Sequence, residues 1–345
     1  MNRISTLLLS SFVGLALTSC GGASGPIDGD RAKAHAAKII AFGPRPAGSK
    51  NLTLAATYIK QQIQQLGLEP QEQLFEVTKP FRGKDTTTKF QNLFVEIPGK
   101  DPVNGPLVVI GAHYDSKLTE GHDNPKHNFH FVGAMDAAGA TGLLIELVRH
   151  LKDRKSDVTY LVVWFDGEES MTFDWSDDLA LFGSQHFVQA MKEDKRRFPN
   201  GMLKRMHAMV LLDLIGDVET KIDRDTASST DLVQIVKAAA EKIGESDRVH
   251  RYDGSFKDDH LPFIRAGVPA VNLIDFTARV PPELGGTPLA QRPPEWEKYF
   301  PWWHTPEDKL ERLSGASLAF VGNLLWAALP DIEAFAVRLH AERNR

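Results

Sequence analysis

The sequence predicts an α/β fold, a three-layer sandwich whose central mixed, largely parallel sheet is flanked by helices. Three observations carry this. Apolar runs of strand length alternate with amphipathic runs of helical period, without a linker, from about Arg31 to the C-terminus. No repeat or low-complexity block interrupts the alternation. His and carboxylate side chains recur at the ends of those runs, the edge of an open α/β sheet where ligands sit.

In chain order, helical periodicity covers Asp30–Phe42 and Ser49–Leu66, with Gly67 as a stop. Gln71–Thr78 and Lys89–Ile97 alternate as the two strands of a hairpin, joined by a polar stretch rich in Lys and Thr. Pro106–Gly111 reads as a buried strand running into His113. A helix is expected over Ala137–Leu151, a strand over Val158–Phe165 and a helix over Leu181–Met191. Then come a strand at Ala208–Leu214, a helix at Asp231–Ile243 and a strand at Gly267–Ile274. Ser314–Leu339 reads as one or two outer helices, and the proline-containing stretch from Phe276 to Phe300 as a long loop.

Composition bounds the function. The 345 residues are 42% hydrophobic and 25% charged, with a formal charge of −5 and no basic stripe, so nucleic acid is not expected as a partner. The N-terminus is an address rather than part of the fold. A basic head, Met1-Asn2-Arg3, precedes an apolar run from Leu7 to Leu17 and then Leu17-Thr18-Ser19-Cys20. This resembles a bacterial lipoprotein signal, with cleavage before Cys20 and lipid carried on it; a plain secretory signal is the alternative. Residues 1–19 are then the signal, 20–29 a flexible tether and 30–345 one catalytic domain. The implied location is the extracytoplasmic face of a bacterial cell envelope, with membrane attachment only through the lipid and a monomer as the default state. Cys20 is the only cysteine, so the mature chain has no internal disulfide.

Asp166-Gly167-Glu168-Glu169 closes the Val158–Phe165 strand. Extended backbone sends neighbouring side chains in opposite directions, so one Glu could bind a metal while the other faces a substrate as acid or base. His113 and Asp115, Asp136, Asp213 and His304 also lie at element ends. Any one of them alone would be a cap or turn residue. Together, carboxylates and imidazoles without thiolates suit zinc with an open coordination position.

Four of these stretches, His113-Tyr114-Asp115-Ser116, Gly133-Ala134-Met135-Asp136, Asp166–Glu169 and Trp303-His304-Thr305, resemble the zinc aminopeptidase superfamily from roughly Arg31 to Leu313. A sharper resemblance is to its glutaminyl cyclases (glutaminyl-peptide cyclotransferases). It rests on His113–Lys117, Phe131–Ala134, Leu211–Gly216, Asp258–Phe263 and Arg265–Pro269. Asp258 is the telling position, since aminopeptidases typically carry a small residue there. The resemblance implies one zinc ion held by Asp136, Glu169 and His304, with Glu168 as general acid/base. Asp258 and Asp213 would join Glu168 in a hydrogen-bonded carboxyl network. His113 would sit in the site without binding metal, and peptides with N-terminal glutamine would be the substrates. Trp303, Trp175 and Lys257 would contact them.

Two departures qualify this. Ser170–Asp174 is one residue longer than the cyclase pattern, and Lys257 stands where cyclases often have Gln. His122, His127 and His130 lie in a loop that reads as solvated, with spare metal ligands as the other reading. The rival functions are a two-metal aminopeptidase using His113 and Asp213, and a non-catalytic lipid-anchored binding protein.

Overall fold

The computed structural model describes residues 25–194, 201–276 and 302–345. The signal read over residues 1–19, Cys20, and all but the first residue of the loop read over 276–300 lie outside them. The helices are α1 (Gly29–Ile40), α2 (Lys50–Gln65), α3 (Gly139–Leu151), α4 (Phe182–Glu193), α5 (Thr230–Lys242), α6 (His260–Arg265) and α7 (Gly315–Arg343). The strands are β1 (Gln71–Phe81), β2 (Lys84–Ile97), β3 (Leu107–His113), β4 (Thr159–Phe165), β5 (Met206–Asp213), β6 (Ile222–Asp225), β7 (Val249–Gly254) and β8 (Ala270–Ile274).

Six strands form one sheet in the order β1-β2-β4-β3-β5-β8. The β1–β2 hairpin joins β4 antiparallel, while β4, β3, β5 and β8 run parallel, which is the mixed, mainly parallel sheet expected. Alternation along the buried strands builds the layers. Val108, Ile110, Val162, Trp164, Val210 and Leu212 face a core shared with α1, α2, α3, α5 and α7. Val109, Leu161, Val163, Leu211 and Phe165 face a second core closed by α4 and α6. At apolar length α7 would suffice to cross a bilayer, yet most of its apolar window is buried and it packs on α1, α3 and α5 as a core helix.

Several details differ from the sequence reading. The end of the expected tether is packed: Ile27 is buried with its N–H on Asn323, and Asp28 caps α1 through the Arg31 N–H. The helix expected from Ala137 starts at Gly139, because residues 134–138 make a wide turn in which Asp136 and Ala137 leave helical geometry. The tail is a single helix with Pro330 inside it. The parallel pair β6–β7 was not anticipated, since Ile-Asp-Arg-Asp in β6 shows no strand alternation; its inward Asp225 is instead paired with buried His260.

Candidate active site and metal centre

The C-terminal ends of β3, β4 and β5 deliver His113, the Asp166–Glu169 loop and Asp213 to one edge of the sheet. Two further segments close over that edge, the turn carrying Asp136 and the segment carrying His304.

Each ligand-bearing loop is held by a buried carboxylate. Asp308 accepts from the N–H groups of Ala134 and Met135 at 2.8 Å each through one oxygen, and from that of Asp136 at 3.2 Å through the other. Gly133 begins this turn at φ 52°, where an added Cβ would lie 1.9 Å from the Asp136 carbonyl oxygen, so no larger residue fits. Asp115 does the same for the paired glutamates, accepting from the N–H groups of Glu168 and Glu169 at 3.3 Å each. Arg45, fully buried, donates to the carbonyls of Tyr114, Val132 and Gly133 and ties the two loops together.

The side chains converge as the sequence reading expects for Asp136, Glu169 and His304. His304 Nε2 lies 3.4 Å from Asp136 Oδ2 and 3.3 Å from Glu169 Oε1. Glu169 Oε1 is buried without a hydrogen-bond partner. Two carboxylates and one imidazole offering donor atoms within 4.8 Å of one another, one of them an orphaned buried oxygen, fit a zinc ion with a position left open. Among the described residues one other group is close enough to hold a metal, His113 with Asp136 and Asp213. There His113 Nε2 sits 3.1 Å from an oxygen of each carboxylate, and Nδ1 sits 3.3 Å from Asp115.

The electrostatics divide these acids. Burial works against ionising Asp136 and Glu169, yet His113 and His304 hold the former, and Lys117 and His304 the latter, below the ordinary carboxylate range. Glu168 goes the other way. Burial pushes it well above that range; the charge of His113 opposes, and those of Asp258, Glu169 and Asp259 add to the rise. Burial also raises Asp213, against its bond to His113. It pushes Asp258 up to about 7, helped by Asp213.

Asp258 and Asp213 each have hydrogen-bond partners besides the Glu168 expected for them. Asp258 accepts from the Asp259 N–H at 2.6 Å and from Asn272 Nδ2 at 2.7 Å. Asp213 bonds His113 and the Leu214 N–H. Asp258 adds to the rise of Glu168 through its charge.

The substrate-contact candidates split into two places. Trp303 stacks on His304, with centroids 4.2 Å apart, and meets Phe276 edge-on. Phe131 and Phe173 meet the same imidazole edge-on. Trp175 and Lys257 lie at the rim instead, joined through Asp177, which accepts from the indole at 2.7 Å and from the ammonium at 2.8 Å. Asp177 had no sequence signal, because its role depends on two loops meeting. In the histidine loop, His127 stacks on Phe173 and His130 pairs with Glu120, and neither joins a candidate metal group.

Two predictions arise here. Asp308→Ala orphans three backbone N–H groups behind Asp136, at a cost of about 3 kcal/mol or more in stability. It should also weaken zinc binding about 10- to 100-fold; thermal unfolding and chelator competition read the two effects. The second concerns pH. Asp258 and Asp308 rise from 3.8 to about 7 in the folded chain. A carboxyl raised on folding contributes stability that is complete below pH 4 and is lost as pH rises toward 7. The chelator-treated protein should therefore melt roughly 4 °C or more lower at pH 7.5 than at pH 5.5, and Asp258→Asn should flatten the slope.

Comparison with known proteins follows the same lines. The family described as Peptidase family M28 matches residues 92–329. A glutaminyl-peptide cyclotransferase of Drosophila melanogaster is 25% identical over 77% of this chain and 70% of its own. An aminopeptidase of Bacillus subtilis is 28% identical over 71% of this chain, which spans 45% of that protein. Among solved structures, a glutaminyl cyclase of an Acidobacteriales bacterium superposes with a TM-score of 0.71 at 27% identity, over 94% of this chain and 99% of the other.

Proposed function

The chain belongs to peptidase family M28, and from that membership we propose that it is a glutaminyl cyclase, closing the N-terminal glutamine of peptides or proteins to pyroglutamate with release of ammonia. The observation that carries the reading is the fit to the Acidobacteriales glutaminyl cyclase, which is nearly end to end in both chains. The likeness to the Bacillus subtilis aminopeptidase covers less than half of that protein.

Asp136, Glu169 and His304 would hold one zinc ion. Bound there, the ion supplies a Lewis acid for the side-chain amide carbonyl of the substrate. Glu168 takes a proton from the α-amine as the amine nitrogen bonds to the amide carbon. It then returns that proton to the departing amide nitrogen, which leaves as ammonia. No water enters the balance. A carboxyl raised by burial is suited to both transfers near neutral pH. Trp303, half-buried and stacked on His304, offers an apolar wall that holds the amine in place. Trp175 and Lys257, fixed through Asp177, would contact the peptide beyond its first residue.

The test is to give the purified protein a glutamine-initiated peptide and follow mass and ammonia, with and without a zinc chelator. Chelator-sensitive loss of one ammonia with the backbone intact supports cyclisation. Release of free glutamine would establish the aminopeptidase reading, which the His113–Asp136–Asp213 group favours.

Attachment to the bacterial envelope through lipid on Cys20, with the domain a monomer on the extracytoplasmic face, is part of the same proposal. Cys20→Ser should move the protein from the membrane pellet to the soluble fraction. Retention in the pellet would overturn the lipid anchor.

A further inference from the structure

Lys117 is a lysine where lysine is least expected. Only 1% of its side chain is exposed, beneath the loop that carries the paired glutamates. Burying an ammonium is costly unless the group is paired and hydrogen-bonded. Its Nζ has two partners, Glu169 Oε2 at 3.2 Å and the Ser170 carbonyl at 3.2 Å. The two oxygens of Glu169 are therefore different. Oε2 is taken by the ammonium, and Oε1 is turned toward His304 Nε2 with no hydrogen-bond donor of its own. Among the described residues, only Lys117 and His304 engage this carboxylate.

The consequence concerns how many oxygens Glu169 can give. Rotation about the last torsion of a glutamate is broad and nearly two-fold, so a carboxylate without a second partner is free to swing both oxygens onto one ion. A carboxylate with one oxygen held by an ammonium keeps a further lone pair on it, but its orientation is biased toward offering the other oxygen to an ion. Groups that grip ligands from behind commonly fix ligand orientation in metal sites.

We propose that Lys117 is a positioning residue that keeps Glu169 a one-oxygen ligand, and so reserves a coordination position for the substrate carbonyl. The inference rests on the zinc site of the proposed function and adds what sets its coordination number. It also accounts for a buried cation that the proton transfers leave unused.

The experiment loads wild-type protein, Lys117→Met and Lys117→Arg with Co2+ and records the visible spectrum, together with metal affinity by chelator competition. Four-coordinate cobalt absorbs far more strongly than five- or six-coordinate cobalt. The wild-type band should be intense, and K117M should lose about threefold or more of that intensity while its metal affinity stays within about tenfold. K117R, which keeps a donor on Oε2, should recover the band. If K117M fails to fold, Lys117→Leu, which likewise offers no donor, is read in the same way.

An unchanged band in the neutral variant would overturn the inference. So would a loss of metal affinity greater than about 100-fold, because Lys117 would then hold the site together rather than select an oxygen. These failures differ from failure of the underlying reading, in which the wild-type protein itself gives no cobalt band or no pyroglutamate.

Discussion

Glu168→Gln should lower kcat for pyroglutamate formation by about 10³-fold while leaving the fold and the metal affinity intact. The amide fills the space of the carboxyl but cannot accept a proton from the α-amine or return one to the leaving nitrogen. Among the described residues Glu168 is held through its backbone N–H, by Asp115, and the replacement leaves that bond in place. Removing an ionisable group from so buried a position relieves rather than adds desolvation cost. The melting temperature should stay level or rise slightly. A factor of 10³ corresponds to about 4 kcal/mol of barrier, within what a well-placed acid/base contributes. Steady-state kinetics, zinc content and a thermal melt suffice to check it. A kcat within tenfold of wild type would remove Glu168 from the reaction.

The reason this prediction can be so specific is that Glu168 and its neighbour were separable from sequence. Adjacent carboxylates just past a buried strand suggest two separate roles, and although β4 ends at Phe165 and Gly167 turns the chain at φ 68°, the structure has one orphaned oxygen aimed at His304 and one carboxyl raised by burial. The candidate metal ligands Asp136 and Glu169 are legible for a similar reason, since they lie in the turn before α3 and the loop after β4, whereas His304 lies in a turn segment that only its motif marks. What lies behind these ligands is not legible. Asp308 follows Pro306-Glu307 with no motif of its own, and only the folded chain brings the Ala134–Asp136 backbone onto it.

Lys117 could be matched to a motif but not paired, because its partner comes from the loop after another strand. The partners of Asp258 are hidden for a related reason. Its motif points to Glu168, and only the fold brings Asn272 on β8 onto one of its oxygens. Trp175 is a substrate-contact candidate by resemblance, and in the structure it is Phe173, from the Ser170–Asp174 segment, that lies beside His304, while the Trp175 indole bonds Asp177. Local periodicity reports which residues are buried. It does not report which buried polar groups will meet.

His304→Ala should lower zinc affinity by about 10³-fold or more, in proportion to losing one of three protein ligands, and should bring cyclisation below detection. His304 is the only imidazole in its group, and Asp136 and Glu169 both approach it. Its replacement leaves two buried carboxylates facing each other, so the variant should also be less stable at pH 8 than at pH 5.5. His113→Ala tests the same centre from the other side. In the structure His113 bridges Asp136, Asp213 and Asp115 by hydrogen-bond contacts, which makes it a spacer between acids rather than a donor held open for an ion. The wild-type protein should therefore carry one zinc per chain, and His113→Ala should keep that zinc while losing activity, as Asp213 and Asp115 lose the imidazole that bridges them. Two zinc ions per chain, one of them lost in His113→Ala, would instead identify a two-metal hydrolytic centre. In that case a water between the metals, rather than the substrate amine, would be the nucleophile.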